Sequence, residues 1–168
     1  MKKILLCLVM AVGTVAASAQ NKPVLSPPAT VQETITKGAT VTINYAQPSV
    51  KGRTIGNEIA PYGKVWRTGA NAATQFEVSK DVTVNGKELK AGRYSLFTIP
   101  GVKEWTIILN KTWDQWGAYK YDEKEDALRI TVKPVKAKAF TEKMTFTIAK
   151  SGDVDLFWGD VQVGFKVK

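Results

Sequence analysis

Apolar and polar residues alternate with a period of two along most of this chain, and turn formers cut the alternation every few residues. That pattern restricts the fold more than any other feature. Between residues 39 and 46, Val41, Ile43 and Tyr45 alternate with Thr40, Thr42 and Asn44, as in a strand with one face buried. The same reading applies to 31–35, 74–80, 93–99, 105–110, 128–132, 144–148, 154–158 and 161–167. The strongest local signal is Asn85-Gly86, set between Val82-Thr83-Val84 and Lys87-Glu88-Leu89. Asn-Gly supplies the positive φ angles of a type I′ turn, whose twist matches paired strands. Pro100-Gly101 is the next turn of this kind.

One helical turn is expected at 57–60, before Pro61, and no longer stretch has helical periodicity. Residues 133–143, with four lysines, read as a basic loop, and Gly159-Asp160 reads as a break between two strands. About ten short strands, each with one wet face, favour antiparallel pairing and either two packed sheets or a closed barrel. The expected fold is therefore all-β: an antiparallel β-sandwich of about ten short strands, with a β-barrel as the alternative.

The beginning of the chain reads as an export signal. Lys2 and Lys3 precede an apolar run from Ile4 to Val12, and Ala17-Ser18-Ala19 forms a small-residue cleavage site before Gln20. The run is well under the roughly 18 residues that span a bilayer, so the chain is not expected to be membrane-spanning. Cleavage after Ala19 takes nineteen of the 168 residues and leaves 149, with the net charge falling from +9 to +7. The expected organisation is a signal peptide at 1–19, an extended proline-rich arm at 20–30 and a single sandwich domain at 31–168. The expected location is periplasmic or secreted.

Composition removes several chemistries. The only cysteine, Cys7, lies within the leader, and the chain has no histidine. A Ser-His-Asp triad, a thiolate nucleophile and a histidine or thiolate metal site are thereby excluded. No metal and no cofactor is expected. The remaining positive charge suits anionic partners or simply a solvated basic surface. The lysines are scattered, so no nucleic-acid partner is expected.

Residues 61–71 form the densest mixture of aromatic, cationic, amide and glycine residues. Tyr62 and Trp66 offer flat faces, Lys64 and Arg67 positive charge, and Asn71 an amide that donates and accepts. Gly63 and Gly69 permit turns or close backbone approach. This group suits an anionic or sugar-like ligand. Equally, Trp66 would plug one end of the core while Arg67 and Asn71 bond orphaned carbonyls.

Trp113, Trp116 and Tyr119 form a second candidate row, followed by Tyr121. The row reads either as a stacking platform for a glycan or as a cover over an open end of the sandwich. The carboxylates Asp153, Asp155, Asp160, Glu58 and Glu77 are the material available for paired acid catalysis, but no pair among them is assigned a catalytic role. Asp122 to Asp126 lacks the ligand spacing and central glycine of a calcium loop.

Three long motifs resemble domain-of-unknown-function family 2911, exported proteins of the Bacteroidetes type. They are Tyr-Gly-Lys-Val-Trp-Arg-Thr-Gly-Ala-Asn at 62–71, Ala-Gly-Arg-Tyr-Ser-Leu-Phe-Thr-Ile-Pro-Gly at 91–101 and Glu-Trp-Thr-Ile-Ile-Leu-Asn-Lys at 104–111. Trp-Gly-Ala-Tyr at 116–119 and Asp-Ala-Leu-Arg-Ile-Thr-Val-Lys-Pro at 126–134 extend the likeness over almost the whole chain after the leader. The resemblance implies export and brings no catalytic residues. The functional expectation from the residues themselves is a non-catalytic binding module for envelope carbohydrate or an anionic small ligand. A structural or assembly partner of cell-envelope proteins is the alternative, and a carboxylate-based hydrolase the second alternative.

Overall fold

The computed structural model describes residues 25–168. The leader at 1–19, with Cys7, and residues 20–24 of the proline-rich arm lie outside the described residues. Strands β1 (Pro28–Thr34), β2 (Thr40–Ala46), β3 (Thr74–Val78), β4 (Val82–Val84), β5 (Lys87–Leu89), β6 (Gly92–Ile99) and β7 (Trp105–Asn110) come first. After a 3₁₀ turn at Glu123–Glu125 come β8 (Asp126–Val132), β9 (Val135–Ile148) and β10 (Asp153–Lys166). Six strands form one antiparallel sheet in the order β1-β2-β3-β6-β7-β8, while β9–β10 and β4–β5 each form a hairpin. The six-stranded sheet ends at β1 and β8 without joining, so the chain is a sandwich and not a closed barrel. Among the described residues, no helix is long and apolar enough to cross a membrane.

Alternation decides which face packs. Val41, Ile43 and Tyr45 of β2, Phe76 of β3, Leu96 of β6 and Leu109 of β7 meet Met144, Phe146, Val154, Leu156 and Phe165 of the long hairpin in one core. Asn85 (φ 46°) and Gly86 (φ 85°) form the expected primed turn of the β4–β5 hairpin. That hairpin closes one end of the sandwich through the bridge between Val84 and Val167. β1 pairs from Pro28 onward, three residues earlier than its apolar pattern suggests. It lies at the sheet edge, where a proline without an N–H is tolerated.

Three local expectations fail for physical reasons. Residues 57–60 are not helical; the N–H groups of Asn57, Glu58 and Ile59 all turn back on the Thr54 carbonyl at 3.1–3.4 Å. The segment expected as a basic loop is most of β9, pairing Val135 with Gln162 and Lys136 with Val161. Its lysines face water while Ala137 is buried, so a small residue hides the alternation. Gly159-Asp160 does not end a strand. Gly159 sits at φ 57° inside β10, at a register shift that bends the strand without ending it.

The six-stranded sheet is also covered on its outer face. Phe97 and Ile108 are fully buried there with Ala73, beneath Val65, Ile99, Ala118 and Tyr121. The aromatic connection between β7 and the 3₁₀ turn therefore crosses an outer face instead of capping an end. Tyr121 packs edge-on against Phe97 at 5.1 Å. Its hydroxyl donates to Asp126 at 2.7 Å and accepts from Arg129, which also donates to Asp126. The acidic bend thus anchors this cover, with Asp122 capping the 3₁₀ turn.

Burial, and then the neighbouring Asp126, push the Tyr121 hydroxyl up to about 12 from an ordinary value of 10.0. A raised folded-state value favours the protonated form, so its contribution to stability is complete below pH 10 and is lost as pH climbs toward 12. Wild-type stability in a denaturant series should drop across that window. Tyr121→Phe should lack this part of the drop; parallel curves for the two proteins would refute the role given to the hydroxyl.

Candidate functional site

Residues 61–71 join the two layers through Trp66. Its N–H donates to the Thr98 carbonyl at 2.8 Å and its carbonyl accepts from the Thr98 N–H at 2.9 Å, so β6 fixes the backbone. Its ring stacks on Trp158 of β10 with centroids 5.2 Å apart and planes 11° from parallel. Trp105 of β7 meets the same ring edge-on at 6.5 Å. Trp66 is therefore a core residue that also forms part of a wall.

The chain then turns through a tight, partly left-handed path. Thr68 (φ 52°) is fully buried, an unfavourable conformation for a β-branched residue. Thr74 holds it there, donating from its hydroxyl to the Thr68 carbonyl at 2.7 Å and from its N–H to the Arg67 carbonyl at 3.1 Å. Gly69 passes so near that an added Cβ would stand 2.9 Å from the Thr74 hydroxyl. Ala60 (φ 46°) and Asn71 (φ 62°) are also left-handed. This strained path borders an open hollow of about 620 Å³.

Arg53, Trp66, Arg67, Asn71 and Trp158 are its polar and aromatic walls, with Ser26 and apolar residues completing it. Arg53 is tethered: Nε donates to the Val50 carbonyl at 3.0 Å and Nη2 to the Ser49 carbonyl at 2.6 Å. Arg67 has no such tether. Its side chain makes no hydrogen bond or ion pair to a described residue, and its Nε is shielded from water without an acceptor. Trp158 Nε1, in the same walls, is likewise unpartnered. No aspartate or glutamate among the described residues lines the hollow. Two guanidinium groups thus line a space with no carboxylate among the described residues, an arrangement that accepts a carboxylate or phosphate.

The other sequence candidates lie elsewhere. Tyr62 is exposed, its ring lying over Gly56, and it lines a separate hollow of about 230 Å³ with Val102 and Val135. Lys64 is exposed and lines neither hollow. Trp113 lies under the Arg93 guanidinium, 4.6 Å from its ring centre. Tyr119 is 85% exposed and Trp116 65%, and no close ring pair joins the three aromatics. Trp116 lines a hollow of about 280 Å³ that shares Ala70 and Asn71 with the larger one.

Sequence reasoning missed Arg53, which follows Gly52, and Trp158, which lies in the strand expected at 154–158. The one signal available for Arg53 was an arginine placed beside a glycine turn. Four of the five carboxylates considered for catalysis serve other groups, while Asp160 lines the hollow of about 230 Å³. Glu58 accepts from the Thr54 N–H, Glu77 pairs with Arg93, Asp153 with Lys166, and Asp155 accepts from Gln162. Asp153 is held below the usual carboxylate range, first by its bond from Lys166 and then by Ser151. That is the wrong direction for a general acid, which needs a raised value.

Comparison with known proteins places a chain of this geometry. Residues 26–167 match the family described as "Protein of unknown function (DUF2911)". The chain belongs to this family. The match takes in all ten strands and, apart from Leu25, every residue lining the larger hollow. No curated protein and no solved structure matches the chain. The family brings no activity with it, so this DUF2911 protein is to be understood from its own residues.

Stability separates the two roles within residues 66–67. Trp66→Ala removes a stacked core ring and should lose about 3–5 kcal/mol, roughly 10 °C in melting temperature. Arg67→Met removes an unpaired, half-buried charge and should change stability by no more than about 1 kcal/mol, in either direction. A loss for Arg67→Met as large as that for Trp66→Ala would make Arg67 a structural residue.

Proposed function

We propose that this DUF2911 protein is an exported, non-catalytic binding module, periplasmic or secreted, that captures a small anionic ligand in the hollow between Arg53 and Arg67. One observation carries this reading: the Arg67 side chain lines a hollow of about 620 Å³ and makes no hydrogen bond or ion pair to a described residue. An oxygen anion in the hollow offers acceptors to the free Nη groups of Arg67 and neutralises its charge. The hollow lies within the roughly 300–1,000 Å³ range of small-molecule sites. A net charge of +7 after leader removal favours the approach of an anion.

Titration calorimetry at low salt with D-glucuronate and with inorganic phosphate tests the site. At least one should bind, Arg67→Met should weaken that binding at least about tenfold, and added salt should weaken it further. Binding indifferent to Arg67→Met would remove the proposal. Export has its own check: protein recovered from the envelope or medium should begin at Gln20, and recovery of chains beginning at Met1 would contradict it.

A further inference from the structure

The larger hollow does not stand alone. The hollow of about 280 Å³ beside it shares Ala70 and Asn71 as a common wall, so Asn71 stands at the boundary between the two spaces. Their chemistry differs sharply. The first is cationic, with Arg53 and Arg67. The second has no charged side chain and is lined by Asn44, Gln75 and Trp116.

The amides of the second hollow have unused capacity. Neither the Asn71 nor the Gln75 side chain is hydrogen-bonded to a described residue, and Asn44 uses its side-chain oxygen only, accepting from Thr30 at 2.8 Å. Amides that donate and accept at once match hydroxyl groups, which do the same. Trp116 adds a flat apolar face that is 65% exposed, where a lone indole has no core to fill. Its mounting is fixed. An antiparallel bridge joins it to Ala72, the Ala73 N–H donates to the Gln115 carbonyl at 3.0 Å, and the Gly117 N–H donates to the Asn71 carbonyl at 3.1 Å. The loop that carries Trp116 is therefore tied to the residue that divides the hollows.

We infer that the ligand is an acidic saccharide of at least two rings, its carboxylate held at Arg67 and its next ring laid against Trp116 among the amides of Asn44, Asn71 and Gln75. This deepens the anion-binding reading and rests on it. A carboxylate fits the planar donor fork of a guanidinium. A pyranose presents hydroxyls at its rim for the amides and C–H groups on its face for the indole, whose π face is negative. Neither hollow alone recognises such a molecule; the pair distinguishes it from a simple anion and from a neutral sugar.

Three probes in titration calorimetry test the inference: D-glucuronate, cellobiouronate (one carboxylate, two rings) and neutral cellobiose. Cellobiouronate and glucuronate carry the same charge, so their affinity ratio isolates the second ring. The wild-type chain should bind cellobiouronate about tenfold tighter than glucuronate, and cellobiose at least about tenfold more weakly than cellobiouronate. In Trp116→Ala the ratio should fall to about one. Should that variant not fold, Gln75→Ala should lower the same ratio.

If glucuronate binds in an Arg67-dependent way but cellobiouronate binds no tighter, the saccharide inference fails and the anion site stands. An unchanged ratio in Trp116→Ala likewise overturns the saccharide inference and leaves the anion site standing. If glucuronate binds wild type and Arg67→Met alike, or does not bind at all, the saccharide inference falls together with a carboxylate site at Arg67.

Discussion

The contact between Trp66 and Trp158 ties the two layers of this molecule together where it matters for binding. The two indoles stack at 5.2 Å, and Trp105 of the large sheet closes against Trp66 from the side. The three rings bring together a loop, a strand of the six-stranded sheet and the long β9–β10 hairpin. Each buries roughly 150–250 Å², so the group fixes the entry of the loop. The left-handed turns that follow are held against that anchor by Thr74 and Thr98.

From this anchor the position of Arg67 follows. Trp66 fills the core and edges the hollow, and Arg67 beside it lines the same hollow. The core stabilises the loop, which leaves Arg67 without structural work. Arg53 contrasts with it, its Nε and Nη2 occupied by two carbonyls of its own turn. One guanidinium shapes the wall, and the other waits for an acceptor. Trp66 fills the core, as expected for a plug, but the Arg67 and Asn71 side chains bond no carbonyl of a described residue and line the hollow instead.

The outer face of the sheet adds a second constraint. β6 and β7 are buried on both sides, because the connection from 111 to 122 folds back over Phe97 and Ile108. Tyr121, Asp126 and Arg129 lock the far end of that connection, and the backbone bonds to Asn71 and Ala73 lock the near end. Trp116 is carried on the near end. The covering of Phe97 therefore sets where the exposed indole stands, a relation between packing and binding that no local pattern in the chain expresses.

The sequence by itself determined the strand content, the antiparallel pairing and the turn at Asn85-Gly86, because period-two alternation and turn chemistry are local properties. It also marked residues 61–71 as unusual and, through three long motifs, the family. Only the tertiary structure decided that 135–143 is a strand and that β10 runs on through a register shift at Gly159, since pairing with a distant partner overrides weak local alternation. It also separated the candidates. Trp66, Arg67 and Asn71 converge on one hollow, Trp116 joins them through a shared wall, and Tyr62, Lys64, Trp113 and Tyr119 lie apart. Neighbours in sequence diverge because left-handed residues at Ala60, Gly63, Thr68 and Asn71 turn the path of the chain. Arg53 and Trp158 became visible only where three distant segments meet.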